Sequence, residues 1–301
     1  MVKNTVSRQD TFAGCHPLVN FLFFALVIMF SMCLMHPVCL LISLCSAAVY
    51  AAKQKKSLRF LLPLMTLTAV LNPLLTHAGM TILTYLPSGN PLTLESIWYG
   101  LAAAAMLSAV VLWFSCYNGV MTSDKFVFLF GRVIPSLSLV LSMSLRFVPR
   151  FQAQMRVVRE AQRAVGRETT GRSMGALAKN GIKIFSIMIT WSLENAIETA
   201  DSMRSRGYGL PGRTAFSIYH FDRRDKLALC CLGFCSTYLF AGWAAGGAYF
   251  QYYPYVDYGR FTPFSASFFA VYLLLCLMPV LMDGAAQRSW KATQAGGQSN
   301  A

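Results

Sequence analysis

The stretch RFVPRFQAQMRVVREAQRAVGRETTGRSMGALAK, residues 146–179, decides how the chain is threaded. It holds eight Lys or Arg against two acids and lies between two apolar segments, residues 126–145 and 181–193, that resemble membrane spans. Reading both as crossings would put those eight bases outside, whereas basic loops stay on the cytoplasmic side. Arg132 and Pro135 interrupt the first segment, and the second stops at Glu194 after thirteen residues, short of the ~20 a crossing needs. Both are therefore expected to be helices lying against the membrane face or under other spans.

Outward from this block, the chain has 301 residues, 55% hydrophobic and only 13% charged, with a mean hydropathy of +0.49. Such a composition excludes a soluble globular or disordered protein. Apolar runs predict six crossings, at residues 17–35, 37–52, 58–75, 94–116, 227–250 and 263–282. The second is short, and His36-Pro37 leaves room only for a tight turn, so the first two spans form a tilted or partly re-entrant hairpin. The first run follows Lys3 and Arg8, exceeds a signal-peptide core and lacks an A-x-A-like site, so it reads as a retained span.

Loop charges orient this map. Lys53, Lys55, Lys56 and Arg59, then Lys125, then Arg288 and Lys291 fall on one side, whereas residues 76–93 and 251–262 hold a single base, Arg260. Residues 125–226 carry seventeen bases and seven acids, +10 of the total +14. Both termini and the block are expected in the cytoplasm, and nucleic acid is the weaker reading of the charge. The fold expected is an all-α polytopic membrane protein of about six transmembrane helices plus a cytoplasmic block of long helices. Its regions are N-terminal spans over 1–122, the block over 123–226, and C-terminal spans with a tail over 227–301.

Within the block, Arg146-Phe147-Val148-Pro149 opens a helix to about Val165, with Arg156 and Glu160 spaced to pair at i,i+4. A second helix over 175–206 carries Ile182, Phe185, Ile189 and Ser192 on one side and turns polar through Glu194, Glu198 and Asp201. Gly166 and Gly207 end them. Each end is a cationic tip, Arg163-Ala164-Val165-Gly166-Arg167 in one and Arg204-Ser205-Arg206-Gly207 in the other. Spacing alone is satisfied by ordinary capping: Arg in a last turn complements the helix dipole by about 0.3–1 kcal/mol and Gly supplies the left-handed cap.

No motif for chemistry survives inspection. Gly166-Arg167-Glu168-Thr169-Thr170-Gly171-Arg172-Ser173 differs by one residue from a P-loop, but a polar helix precedes it where a strand is needed, and Arg replaces the Lys. Cys33, His36 and Cys39 lack a fourth ligand, and an interfacial hydrogen-bonded imidazole is the simpler account of His36. The cysteine count is odd, nine, and most lie in apolar runs. Neither metal, cofactor nor catalytic residue is expected. Apart from Arg59 and Glu95 at their ends, the spans lack the intramembrane charges of ion-coupled carriers, so an autonomous secondary transporter is the runner-up.

The motifs that remain resemble a family. His16-Pro17-Leu18-Val19-Asn20-Phe21, Asn72-Pro73-Leu74-Leu75-Thr76-His77-Ala78-Gly79 and Gly89-Asn90-Pro91 are similar to the transmembrane T component of energy-coupling factor transporters, the CbiQ/EcfT family. The likeness is densest from Ser123-Asp124-Lys125 through Arg146-Phe147-Val148-Pro149-Arg150 to Ser205-Arg206-Gly207-Tyr208-Gly209, and continues through Gly212-Arg213-Thr214 and Phe221-Asp222-Arg223-Arg224-Asp225. The resemblance implies a prokaryotic cell-membrane importer of vitamins or transition metals such as cobalt. Two ABC ATPase subunits, as a homo- or heterodimer, hydrolyse ATP, and a small substrate-binding S component selects the cargo. It further implies that two Ala-Arg-Gly motifs at helix ends dock the ATPases. Ser205-Arg206-Gly207 matches the second with Ser for Ala. Ala164-Val165-Gly166 matches the first with Val for Arg, and Arg163 or Arg167 could supply the charge.

Overall fold

The computed structural model describes residues 11–76, 79–85, 91–131, 135–166, 174–208, 210, 219–257, 259 and 262–298. Among them run α1 (Pro17–Cys33), α2 (Pro37–Lys53), α3 (Leu61–Leu75), β1 (Ile82–Tyr85), β2 (Pro91–Thr93), α4 (Leu94–Val120), α5 (Ser123–Gly131), α6 (Pro135–Ala164), α7 (Met174–Ser205), α8 (Arg223–Ala244) and α9 (Pro263–Gln298). The chain divides into two compact units, residues 1–125 with 219–301, and residues 126–218.

The first unit is a polytopic helical bundle. α4, α8 and residues Pro263–Arg288 of α9 are long and apolar enough to cross a membrane, while α1, α2 and α3 are shorter apolar helices of 15–17 residues. Seventeen residues of helix rise about 25 Å, a little under the ~30 Å hydrocarbon core. The apolar runs thus became helices, with shifted ends: α4 continues to Val120, α9 to Gln298, and α8 begins at Arg223 and stops at Ala244.

Two helix starts share one device. His16 precedes Pro17 and His36 precedes Pro37, and each imidazole Nδ1 accepts from the N–H two residues on, Leu18 and Val38, at 3.2 Å. Pro at the first helical position lacks the N–H that would go unpaired, and the side-chain acceptor satisfies the next one. Thr93 does the same for α4, accepting from Ser96 N at 3.3 Å.

The core of this unit is aromatic with a polar thread. Phe12, Phe23, Phe24, Tyr50 and Trp113 are fully buried and meet mostly edge to face, with ring centroids 5.1–6.5 Å apart. Through it Ser43 Oγ contacts Ser31 Oγ at 2.6 Å and accepts from Trp113 Nε1 at 3.1 Å, and Ser31 reaches Tyr272 at 3.2 Å. α1, α2, α4 and α9 are thereby joined by hydrogen bonds for which lipid offers no substitute.

The turn at residues 11–16 is clasped by distant charges. Phe12 N donates to Asp283 Oδ1 at 3.0 Å, and Lys53 Nζ meets Asp283 Oδ2 at 2.8 Å. Lys125 Nζ donates to the carbonyls of Ala13 and Val120, and His16 N donates to Asp225 Oδ1 at 3.2 Å. The Asn20 amide, oriented to suit its neighbours, donates to Phe12 O at 2.9 Å and accepts from Lys125 Nζ at 3.0 Å.

One element was not expected. β1 and β2 pair antiparallel, Ile82 with Thr93 and Tyr85 with Pro91. Glu95, 3% exposed, bonds back to Thr81, whose Oγ1 donates to it at 2.7 Å.

The second unit is built on α6 and α7. Phe151 meets Trp191 edge to face at 5.4 Å, and Val158 packs in one buried cluster with Ile184 and Met188. Contacts step toward the start of one helix as they step toward the end of the other, so the pair is antiparallel. α6 begins at Pro135, eleven residues before the expected Arg146, and Pro149 lies within it. Pro135 suits a helix start, while Pro149 forfeits one interior hydrogen bond without ending the helix. Among the described residues, Arg156 and Glu160 form no ion pair.

Candidate functional site

Both helices of the second unit end on glycine in the left-handed region. Gly166 and Gly207 each have φ of +75°. At the α7 end Gly207 N bonds to Arg204 O and Tyr208 N to Met203 O, both at 3.0 Å, the paired bonds of a Schellman cap. At the α6 end Gly166 N bonds to Arg163 O at 2.9 Å, the equivalent inner bond. The same glycine φ and the same inner bond thus follow from the same residue type just past each last turn.

These caps present the expected residues outward. Arg163, Ala164 and Gly166 are exposed, and Val165 is 68% exposed. At the other tip Ser205 and Arg206 are exposed and Gly207 is half-buried. The Ser205 hydroxyl is turned to its own helix, donating to Ser202 O at 2.9 Å. Arg167 lies outside the described residues, as do residues 167–173 of the P-loop-like stretch and His77.

Because α6 and α7 run antiparallel, the tips stand at opposite ends of the pair. The α7 tip lies beside Met143 and Arg146, so about 21 residues of α6, or ~30 Å of axis, separate it from Ala164. Beside Arg206 the two helices leave a groove of about 810 Å³, whose walls include Arg146, Phe147, Arg150, Glu198 and Tyr208. Sequence reasoning singled out Arg206 but not the groove arginines as its neighbours. Their i,i+4 spacing was visible, whereas the helix register bringing them to residue 206 was not.

Other candidates resolve into structural roles. His36 caps α2 and packs on Phe269 and Phe250, ring centroids 4.8 and 5.4 Å away, and burial lowers its pKa from the ordinary value. Among the described residues no three His, Cys, Asp or Glu side chains gather to hold a metal.

Comparison with known proteins gives the chain relatives. The chain is 33% identical over 100 residues to the energy-coupling factor transporter transmembrane protein EcfT 1 of Listeria monocytogenes, covering 33% of this chain and 38% of that one. Over 97 residues it is 32% identical to the EcfT protein of Lactobacillus helveticus, covering 32% and 35%, and over 94 residues 34% identical to that of Bacillus selenitireducens, covering 31% and 35%. The matched stretch spans little more than a third of the length of these curated relatives. No protein-family model matches the chain. The resemblance to the T component is thus a measured similarity, recurring across several EcfT proteins.

Proposed function

We propose that this protein is the transmembrane coupling component of an energy-coupling-factor-type ABC importer, passing ATP-driven motion from two partner ATPases to a small substrate-binding membrane subunit. The observation that carries the proposal is the pair of exposed, glycine-capped tips held at opposite ends of one antiparallel helix pair. A rigid bar with a docking group at each end suits two ATPase subunits that close on each other. An arginine at such a tip makes a charge-assisted, bidentate bond to a carboxylate in the partner.

Arg206 is the main docking residue, flanked by Ser205 and Gly207. Ala164, Val165 and Gly166 form the weaker tip, with Arg163 or Arg167 supplying charge. ATP hydrolysis resides in the partners, and cargo, a vitamin or transition metal, is chosen by the S component. In this reading all six apolar helices of the first unit cross the cell membrane, and residues 123–226 and both termini face the cytoplasm.

Affinity purification from native membranes in mild detergent tests this. Two ATPases and a small membrane protein are expected to co-purify, and Arg206→Glu is expected to lose the ATPases while inserting normally. Val165→Arg is expected to be tolerated or to tighten docking. Normal transport by Arg206→Glu would sink tip docking.

A further inference from the structure

We propose that the groove beside Arg206 binds a phosphate group carried on the headgroup of an anionic glycerophospholipid. Arg146, Arg150 and Arg206 line one volume with, among the described residues, one carboxylate, Glu198. Arg146 and Arg150 are four residues apart on α6 and share a face, while Arg206, exposed and just past the end of α7, is left to its docking role. Arg150 stands over the Trp191 ring, 5.7 Å from its centroid, which holds its fork in place. Among the described residues none of the three is in an ion pair.

The ligand class follows from donor number and size. One arginine fork saturates the two oxygens of a carboxylate, whereas two arginines on one helix face of the groove match the larger acceptor set of a phosphate. About 810 Å³ is the scale of an organic ligand rather than a bare anion. Met143 and Phe147 also line the groove and supply an apolar wall beside the cations, fitting an amphiphile. A basic pocket of this kind on the cytoplasmic face of a membrane protein is where acidic headgroups bind. The lipid source rests on the reading of the second unit as lying on that face.

The test uses the full chain in neutral detergent, following its unfolding temperature with phosphatidylglycerol, phosphatidylcholine or inorganic phosphate added. Phosphatidylglycerol is expected to raise the temperature saturably and phosphatidylcholine not to. Arg146→Gln is expected to at least halve the shift, and Glu198→Gln, which removes the opposing charge, to enlarge it. Equal shifts with both lipids, or an undiminished shift in Arg146→Gln, overturns the proposal. An equal, Arg146-dependent shift with inorganic phosphate overturns the lipid source and assigns the groove to free phosphate. If Arg146→Gln loses co-purifying ATPases while its lipid shift is unchanged, the groove is a protein dock and the proposal falls. If wild-type protein brings down no ATPases yet shows the lipid shift, the transporter reading fails and the groove stands.

Discussion

The imidazoles at His16 and His36 do work usually given to Ser, Thr, Asp or Asn, accepting a first-turn N–H through Nδ1. Only the neutral ring can accept, and a protonated one would also place positive charge at a helix N-terminus. Burial holds His36 below the ordinary 6.5, so on acidification the unfolded chain takes the proton first. Stability is therefore complete above that ordinary value and is lost as pH falls below it. Thermal unfolding in detergent from pH about 7.5 to about 5.5 should show this fall, and His36→Asn, which keeps a cap acceptor without titrating, should flatten it. Gly166→Ala and Gly207→Ala each place a side chain at φ +75°, costing about 1 kcal/mol by unfolding. In Gly207→Ala the new Cβ also sits 3.1 Å from Leu210 Cδ1. The glycine caps were legible in sequence because a left-handed residue is a local demand. For His36 the interfacial hydrogen bond was legible but not its service as a cap, since only a following proline distinguishes a capping histidine from any other.

Between elements, Asp283 has the most to lose. Its side chain is 3% exposed and binds both the Phe12 amide on the turn before α1 and Lys53 at the end of α2. Asp283→Ala leaves an ammonium and a buried N–H without their acceptor, for a loss of about 3 kcal/mol in detergent unfolding. Lys53→Met with Asp283→Leu replaces both charges by apolar groups and should cost much less than the two single changes summed. None of this was legible, because residues 53 and 283 are joined only once the bundle closes. The start of α6 was misplaced for a different reason: Pro149 looks like a boundary, yet a long helix tolerates the loss of one bond. The β1–β2 pairing was overlooked because three to four residues per strand are too few to display a period.

For the whole molecule, charge distribution carried most of the reading. The basic block 125–226 and the base-poor loops 76–93 and 251–262 are what the proposed orientation rests on. In a cysteine-free background, Tyr85→Cys should react with an impermeant thiol reagent on intact cells, and Ser57→Cys only after the membrane is opened; both native side chains are exposed. The reverse pattern would invert the proposed topology. The clasped turn at residues 11–16 bears on how the molecule is made. Its partners Lys125, Asp225 and Asp283 lie 112, 209 and 271 positions downstream of the backbone groups they bind. During translation that turn leaves the ribosome long before its partners exist, and Phe12 has no complete socket until α9 is made. Closure of the clasp is thus a late event of biogenesis, and a nascent chain stalled before residue 283 should stay cleavable by protease around residue 12 when the finished protein is resistant.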